Sequence, residues 1–151
     1  MTRSPSPVVG ALVGYVASRV MDAATSLYYP RQSEASRVRE EEIAPGGTLV
    51  EIGGMLGRAA GRDLTPEQAG RVGLAVHRTL GTTYGVLAAA LVRRGSPALV
   101  AGPLVGAAAW LLVDEGTSLP TARQYLPESH VRGVIGHATW GVTAGLLLAL
   151  A

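Results

Sequence analysis

Four apolar stretches alternate with polar ones along the chain. They run from Pro7 to about Tyr29, from Pro66 to about Val92, from Pro97 to about Val113, and from Val131 to Ala151. Each approaches the ~20 residues that a helix needs to cross hydrocarbon. Residues 30–65 break the pattern. Pro30 opens a polar connection, and Ser36-Arg-Val-Arg-Glu-Glu-Glu42 reads as a solvated helical turn or two before Pro45-Gly46-Gly47. Leu49, Val50, Ile52, Met55 and Leu56 then recur at helical spacing, with Arg58 and Arg62 after them. This is either a short amphipathic helix at a membrane interface or a soluble cap on its own loop. Thr65-Pro66-Glu67-Gln68 reads as a helix start with a capping box. Arg93-Arg94-Gly95-Ser96 is a tight turn, Asp114-Glu115-Gly116 ends the third helix, and residues 116–130, with Pro120 and Pro127, form a polar loop before the fourth.

The stretches are related to one another. Gly73, His77, Thr79, Gly81, Thr83 and Gly85 recur sixty positions later as Gly133, His137, Thr139, Gly141, Thr143 and Gly145. Gly10, Leu12, Val13, Gly14, Ala17 and Asp22 recur as Gly102, Leu104, Val105, Gly106, Ala109 and Asp114. The glycines fall at four-residue steps and so make small stripes along helices, the surface that lets helices approach closely in lipid. The expected fold is therefore all-α: one transmembrane domain, residues 1–151, forming a four-helix bundle from two parallel helical-hairpin repeats. Its spans are 7–29, 66–92, 97–113 and 131–151, and residues 30–65 form the polar and amphipathic first connection. The packing positions are Gly10, Gly14, Gly73, Gly81, Gly85, Gly102, Gly106, Gly133, Gly141 and Gly145. The apolar run from Pro7 has the look of a signal peptide, but it continues at spanning length and has a later counterpart, so its retention is expected.

Composition agrees. Nearly half of the residues are hydrophobic, 16% are charged, and the mean hydropathy is +0.27. There is no cysteine and no lysine, since all thirteen basic residues are arginine. That removes thiolate chemistry, disulfides, cysteine-based zinc sites and lysine Schiff bases. The arginines are spread over loops and helix ends, with no basic patch interleaved with aromatics, so no nucleic-acid partner is expected. No Walker loop, nucleophile elbow, HExxH or catalytic carboxylate pair is present, and no enzymatic activity is expected.

The polar residues inside the apolar stretches carry the candidate chemistry. Measured along each helix, Asp22, His77, Asp114 and His137 lie at a common level, ~21–25 Å from the end that carries the chain termini. Two equivalent pairs follow, Asp22 with His77 and Asp114 with His137. Arg19 and Arg78 join the first, because the second hairpin has Leu111 and Ala138 at those positions. Ionisable residues within a bilayer are functional suspects. Three readings stand side by side: a network that fixes helix register, an imidazole–carboxylate proton relay, and haem or chlorin ligation by His77 and His137. The first is preferred and no cofactor is expected. His130 reads as an interface residue, Tyr28 and Tyr29 as an interfacial anchor, and Tyr15, Tyr84, Trp110 and Trp140 as packing or belt residues.

Pro120 to Pro127, His130, Gly133, Gly136-His137 and Trp140-Gly141, together with Gly81-Thr-Thr-Tyr84-Gly85 after His77, resemble the YagU-like bacterial inner-membrane proteins over about half of the chain. The resemblance implies a small polytopic inner-membrane protein linked with acid resistance. The chain departs from the family in its acidic Glu40-Glu41-Glu42 run and in lacking a basic C-terminal tail. The resemblance and the short Arg93-Arg94 turn place the termini in the cytoplasm, although more arginines lie on the loop side. The expected role is a structural or accessory subunit that packs through its glycine faces in a larger membrane complex. Its expected partners are the lipid bilayer and a membrane-protein partner or further copies of itself. Proton or ion handling by the His/Asp pairs is the alternative.

Overall fold

The computed structural model describes residues 5–117 and 122–151. Arg3 of the polar N-terminal segment and Pro120 of the last loop lie outside them. The described residues contain helices and no strand. Six α-helices follow in order: α1 (Pro7–Tyr28), α2 (Glu34–Ile43), α3 (Thr48–Ala59), α4 (Pro66–Arg93), α5 (Ala98–Ala109) and α6 (Pro127–Ala149).

The helix starts follow from local chemistry. Ser6 caps α1 through the amide of Val9, and Ser33 caps α2 through that of Ser36. Thr65 and Gln68 form the reciprocal capping box at α4, satisfying two donors that the helix cannot. Pro127 opens α6 one turn earlier than the hydropathy pattern suggests. Asp114-Glu115-Gly116 does not end the third helix. From Trp110 the chain widens into a π-helix that continues to Thr117. Acids near a helix C-terminus oppose the backbone dipole, but here both are paired on α6, Asp114 with His137 and Glu115 with His130. Those contacts hold the extra turns in place. Among the described residues the first connection is also more ordered than a charged turn or two, because α2 is a ten-residue helix.

The four long helices pack side by side as a ring. α1 touches α4 and α6, α5 touches the same two, and α4 meets α6 across the middle. Close glycine contacts fix the directions. Gly10 meets Gly85 and Gly14 meets Gly81, so α1 and α4 are antiparallel, as are α5 and α6, where Gly102 meets Gly145 and Gly106 meets Gly141. α3 lies on the first half of α4, where Gly53 sits against the backbone of Ala69 and Gly73 against that of Leu49. The amphipathic segment is thus docked backbone to backbone on the protein, which favours the cap over a helix spread alone on an interface.

The interior is made of small residues. The core consists of Val13, Ala17, Ala88, Ala89, Val105, Trp140, Ala144 and Leu148. The largest side chains that are fully buried are Ser18 and Ser36. The bulky aliphatics point outward: Leu12 is 63% exposed, Leu27 67%, Leu104 58% and Leu112 64%. Among the described residues two helical segments are long and apolar enough to cross a membrane, Pro7–Arg31 and Ala98–Gly116, and only 28% and 22% of their apolar windows are buried within the protein. Four such segments were expected. α4 and α6 are not among the two; their first halves carry Glu67, Arg71, His77 and Arg78, and Glu128, His130, Arg132 and His137, respectively.

Candidate functional site

The site lies where the four long helices meet on the side of the loops. His77 Nε2 is 3.0 Å from Asp22 Oδ1, joining α4 to α1. His137 Nε2 is 3.1 Å from Asp114 Oδ2, joining α6 to the π-helical turns that continue α5. The same nitrogen meets a carboxylate in both hairpins. The pairs are half-buried: the side chains of His137 and His77 are 11% and 26% exposed, against 38% and 36% for Asp114 and Asp22.

Arg78 joins the first pair, donating from Nη2 to Asp22 Oδ2. Its Cζ also lies 5.9 Å from the centroid of the Tyr15 ring, within cation–π range. Asp22 therefore holds an imidazole on one oxygen and a guanidinium on the other. Arg19 does not take part. It is exposed on the outer side of α1 and makes no ion pair among the described residues. The reason is angular. Positions three apart on a helix differ in heading by ~60°, and this turns Arg19 away from α4.

His77 and the Asp114–His137 pair open on one cavity of about 90 Å³, lined also by Ser18, Tyr84 and Trp140, among others. Liquid water occupies ~30 Å³ per molecule, so the space suits a few waters among groups that donate and accept. One carbonyl organises the wall above it. Gly14 O accepts from Ser18 Oγ at 2.9 Å and from the Trp140 indole nitrogen at 3.3 Å. Trp140 in turn meets Tyr84 edge to face, with centroids 6.2 Å apart.

The haem or chlorin reading does not fit this geometry. Each Nε2, the atom that would take an axial position, faces a carboxylate in its own hairpin. The volume between the histidines is also far below the ~300–1,000 Å³ of small-molecule pockets. Among the described residues no cluster of three or more His, Asp or Glu could hold a metal ion.

The glycine stripes are spent inside the chain. A Cβ at Gly85 would lie 2.6 Å from Gly14 Cα, one at Gly10 2.8 Å from Gly85 O, and one at Gly102 2.7 Å from Gly145 Cα. One at Gly106 would meet His137 O at 2.6 Å and one at Gly141 would meet Pro103 Cα at 2.8 Å. Gly81 abuts Ser18, Gly73 serves α3, and Gly133 faces the side chains of Asp114 and Trp110. No glycine face of these helices is left over for another protein.

A second polar cluster, on the loop side, has no precursor in the sequence pattern. Glu40 Oε1 accepts from Gln32 Nε2 at 2.7 Å and from Ser129 Oγ at 2.6 Å, while Glu40 Oε2 pairs with Arg132 at 2.9 Å. Arg39 reaches Gln124, and Ser33 donates to Glu128 at 2.9 Å. His130, read as an interface residue, pairs with Glu115 at 2.6 Å. The Ser33 and Glu40 contacts tie α2 and its cap to the start of α6 across about ninety residues, and no periodicity within one helix announces them.

Comparison with protein families, curated proteins and solved structures gives no match.

Proposed function

We propose that this chain is a small integral membrane protein without enzymatic activity, whose two His–Asp pairs bind and pass protons within a bundle of four membrane-embedded helices. The observation that carries the reading is the inverted packing around a polar centre: Ala, Gly and Ser inside, Leu and Val outside, and His77, Asp114 and His137 on one cavity. In water this arrangement would forgo ~1.5–3 kcal/mol for each large aliphatic side chain left unburied. In hydrocarbon there is nothing to forgo, and small residues let backbones approach. The hydroxyls support the same reading. Ser18, Thr25, Thr79, Thr82 and Thr83 each donate to a carbonyl of the preceding turn, so they need no water. Polar centres buried in lipid are costly and serve proton and ion pathways. The Arg93-Arg94 turn and the resemblance to YagU-like proteins support a proposed location in the bacterial inner membrane with the termini in the cytoplasm, and the resemblance also motivates the link with acid resistance.

The test is proton flux into liposomes carrying the purified protein, for the wild type and for His77→Ala and His137→Ala. The reading expects pH-dependent flux that either substitution abolishes while helicity and melting stay intact. Flux unchanged in both variants would reduce the pairs to register-setting contacts.

A second reading, an accessory subunit of a larger membrane complex, draws on the uncovered Leu and Val faces of α1 and α5. Docking would use those faces and not the glycines. Gentle extraction with identification of co-purifying chains decides it, and recovery of this chain alone removes it.

A further inference from the structure

A larger cavity, of about 320 Å³, lies outside the His–Asp centre, at the level where α1 ends and α6 begins. Its walls are Tyr29, Glu40, Glu41, Thr48, Tyr125, Arg132 and the turn 44–47. The volume falls within the range of small-molecule sites. Arg132 is held there in a fixed pose. Glu40 pairs with one edge of its guanidinium, and the Tyr29 ring lies under its face with the centroid 5.0 Å from Cζ. Glu40 Oε1 already accepts from Gln32 and Ser129 and Oε2 pairs with Arg132, so Glu40 positions Arg132. The other nitrogens of Arg132 make no hydrogen bond among the described residues and are free to meet an anion. A fixed, planar guanidinium suits phosphate oxygens. Glu41 supplies the opposite charge. Its Oε1 accepts from the Gly46 amide at 3.0 Å, and Oε2 has no protein partner among the described residues.

The geometry points to a binding site for a phosphoethanolamine group, with the phosphate on Arg132 and the primary ammonium on Glu41. A quaternary ammonium has no N–H to donate to Glu41. A carboxylate acceptor favours N–H donors instead. The inference leans on the membrane reading for one point only, the source of the ligand: at this level of a spanning bundle a phospholipid headgroup is at hand.

The experiment is retention of short-chain phosphatidylethanolamine by the detergent-purified protein, followed by native mass spectrometry beside the matched phosphatidylcholine and phosphatidylglycerol. Glu41→Gln is the informative variant, because Glu41 is exposed and Gln keeps an acceptor for the Gly46 amide. The expected result is preferred retention of phosphatidylethanolamine, weakened about tenfold by Glu41→Gln as a charge-assisted hydrogen bond is lost, with phosphatidylglycerol unaffected. Equal retention of the three lipids, or no effect of Glu41→Gln, overturns the proposal. Competition by free O-phosphoethanolamine assigns the source: displacement at comparable concentration makes the headgroup alone the ligand, and displacement by lipid only makes it a bilayer component. Should the chain prove soluble without detergent, the membrane reading fails, and the O-phosphoethanolamine titration still tests this site in water.

Discussion

Trp140 donates its indole N–H to the carbonyl oxygen of Gly14 at 3.3 Å, linking α6 to α1 over 126 positions of sequence. The same carbonyl takes the hydroxyl of Ser18. Ser18 packs directly on Gly81 of α4, so three helices register on one backbone atom. Trp140→Phe keeps a buried ring and removes the donor. It is expected to lower stability by ~0.5–1.5 kcal/mol, the net worth of an ordinary hydrogen bond, measured by chemical unfolding in detergent.

The glycine contacts predict opposite signs at different positions. Gly14→Ala would force a methyl group to 2.9 Å from Gly85 Cα. Backbone cannot yield as a side chain can, and overpacking of this kind costs ~1–3 kcal/mol or more. At Gly70 the nearest atom to an added Cβ is Val50 Cγ2 at 3.6 Å, an ordinary contact. Gly70→Ala should therefore raise stability by ~0.5–1 kcal/mol through helix propensity. Parallel melts of the two variants check the contrast.

Asp22 meets an imidazole and a guanidinium, and Arg78 is the more buried of the two, with a side chain 15% exposed. Asp22→Asn leaves a guanidinium without its counter-charge and should cost ~1.5–3 kcal/mol, the range for hydrogen bonds to charged groups. In the Asp22→Asn/Arg78→Gln double variant that penalty shrinks, because no unpaired charge remains. A double-mutant cycle in the same detergent gives the coupling, and additive losses would show that the two side chains do not share a contact.

Tyr125 provides a pH test on the loop side. Burial raises its pKa above the ordinary 10.0; Thr48 and Arg132 pull it down, while Glu51 and Glu40 push it further up. A pKa raised in the folded state means that the fold binds the proton more tightly than the unfolded chain does. The corresponding stability is fully present below pH ~10 and is lost as pH climbs through the folded value. Alkaline unfolding curves of the wild type should fall more steeply in that window than those of Tyr125→Phe, and identical curves would place the hydroxyl in solvent.

Much of this arrangement was legible in the sequence. Four-residue glycine steps imply close helix contacts, and counting residues along each helix puts Asp22, His77, Asp114 and His137 at one level. The structure pairs them as that counting requires. What the sequence hid depends on contacts between distant segments. Whether a glycine stripe meets a helix of its own chain or of another cannot be told from its spacing. Arg19 and Arg78 look alike as candidates until the side of α1 that faces α4 is known. The π-helical continuation past Asp114 needs His130 and His137 on the neighbouring helix, and the Glu40 cluster needs α2 and α6 to be adjacent. Four apolar spans follow from runs of residues, yet α4 and α6 gather polar residues in their first halves, where His77, Arg78, Arg132 and His137 serve contacts made only in the folded chain.

The most direct test of the membrane-embedded bundle places single spin labels at Val16, Leu87, Leu104 and Val142, one outward-facing position on each long helix, in a chain that has no cysteine of its own. In liposomes the account predicts that all four labels collide readily with oxygen and are shielded from a water-soluble nickel chelate. Free collision with the chelate at Leu87 and Val142 would contradict it, because α4 and α6 would then face water.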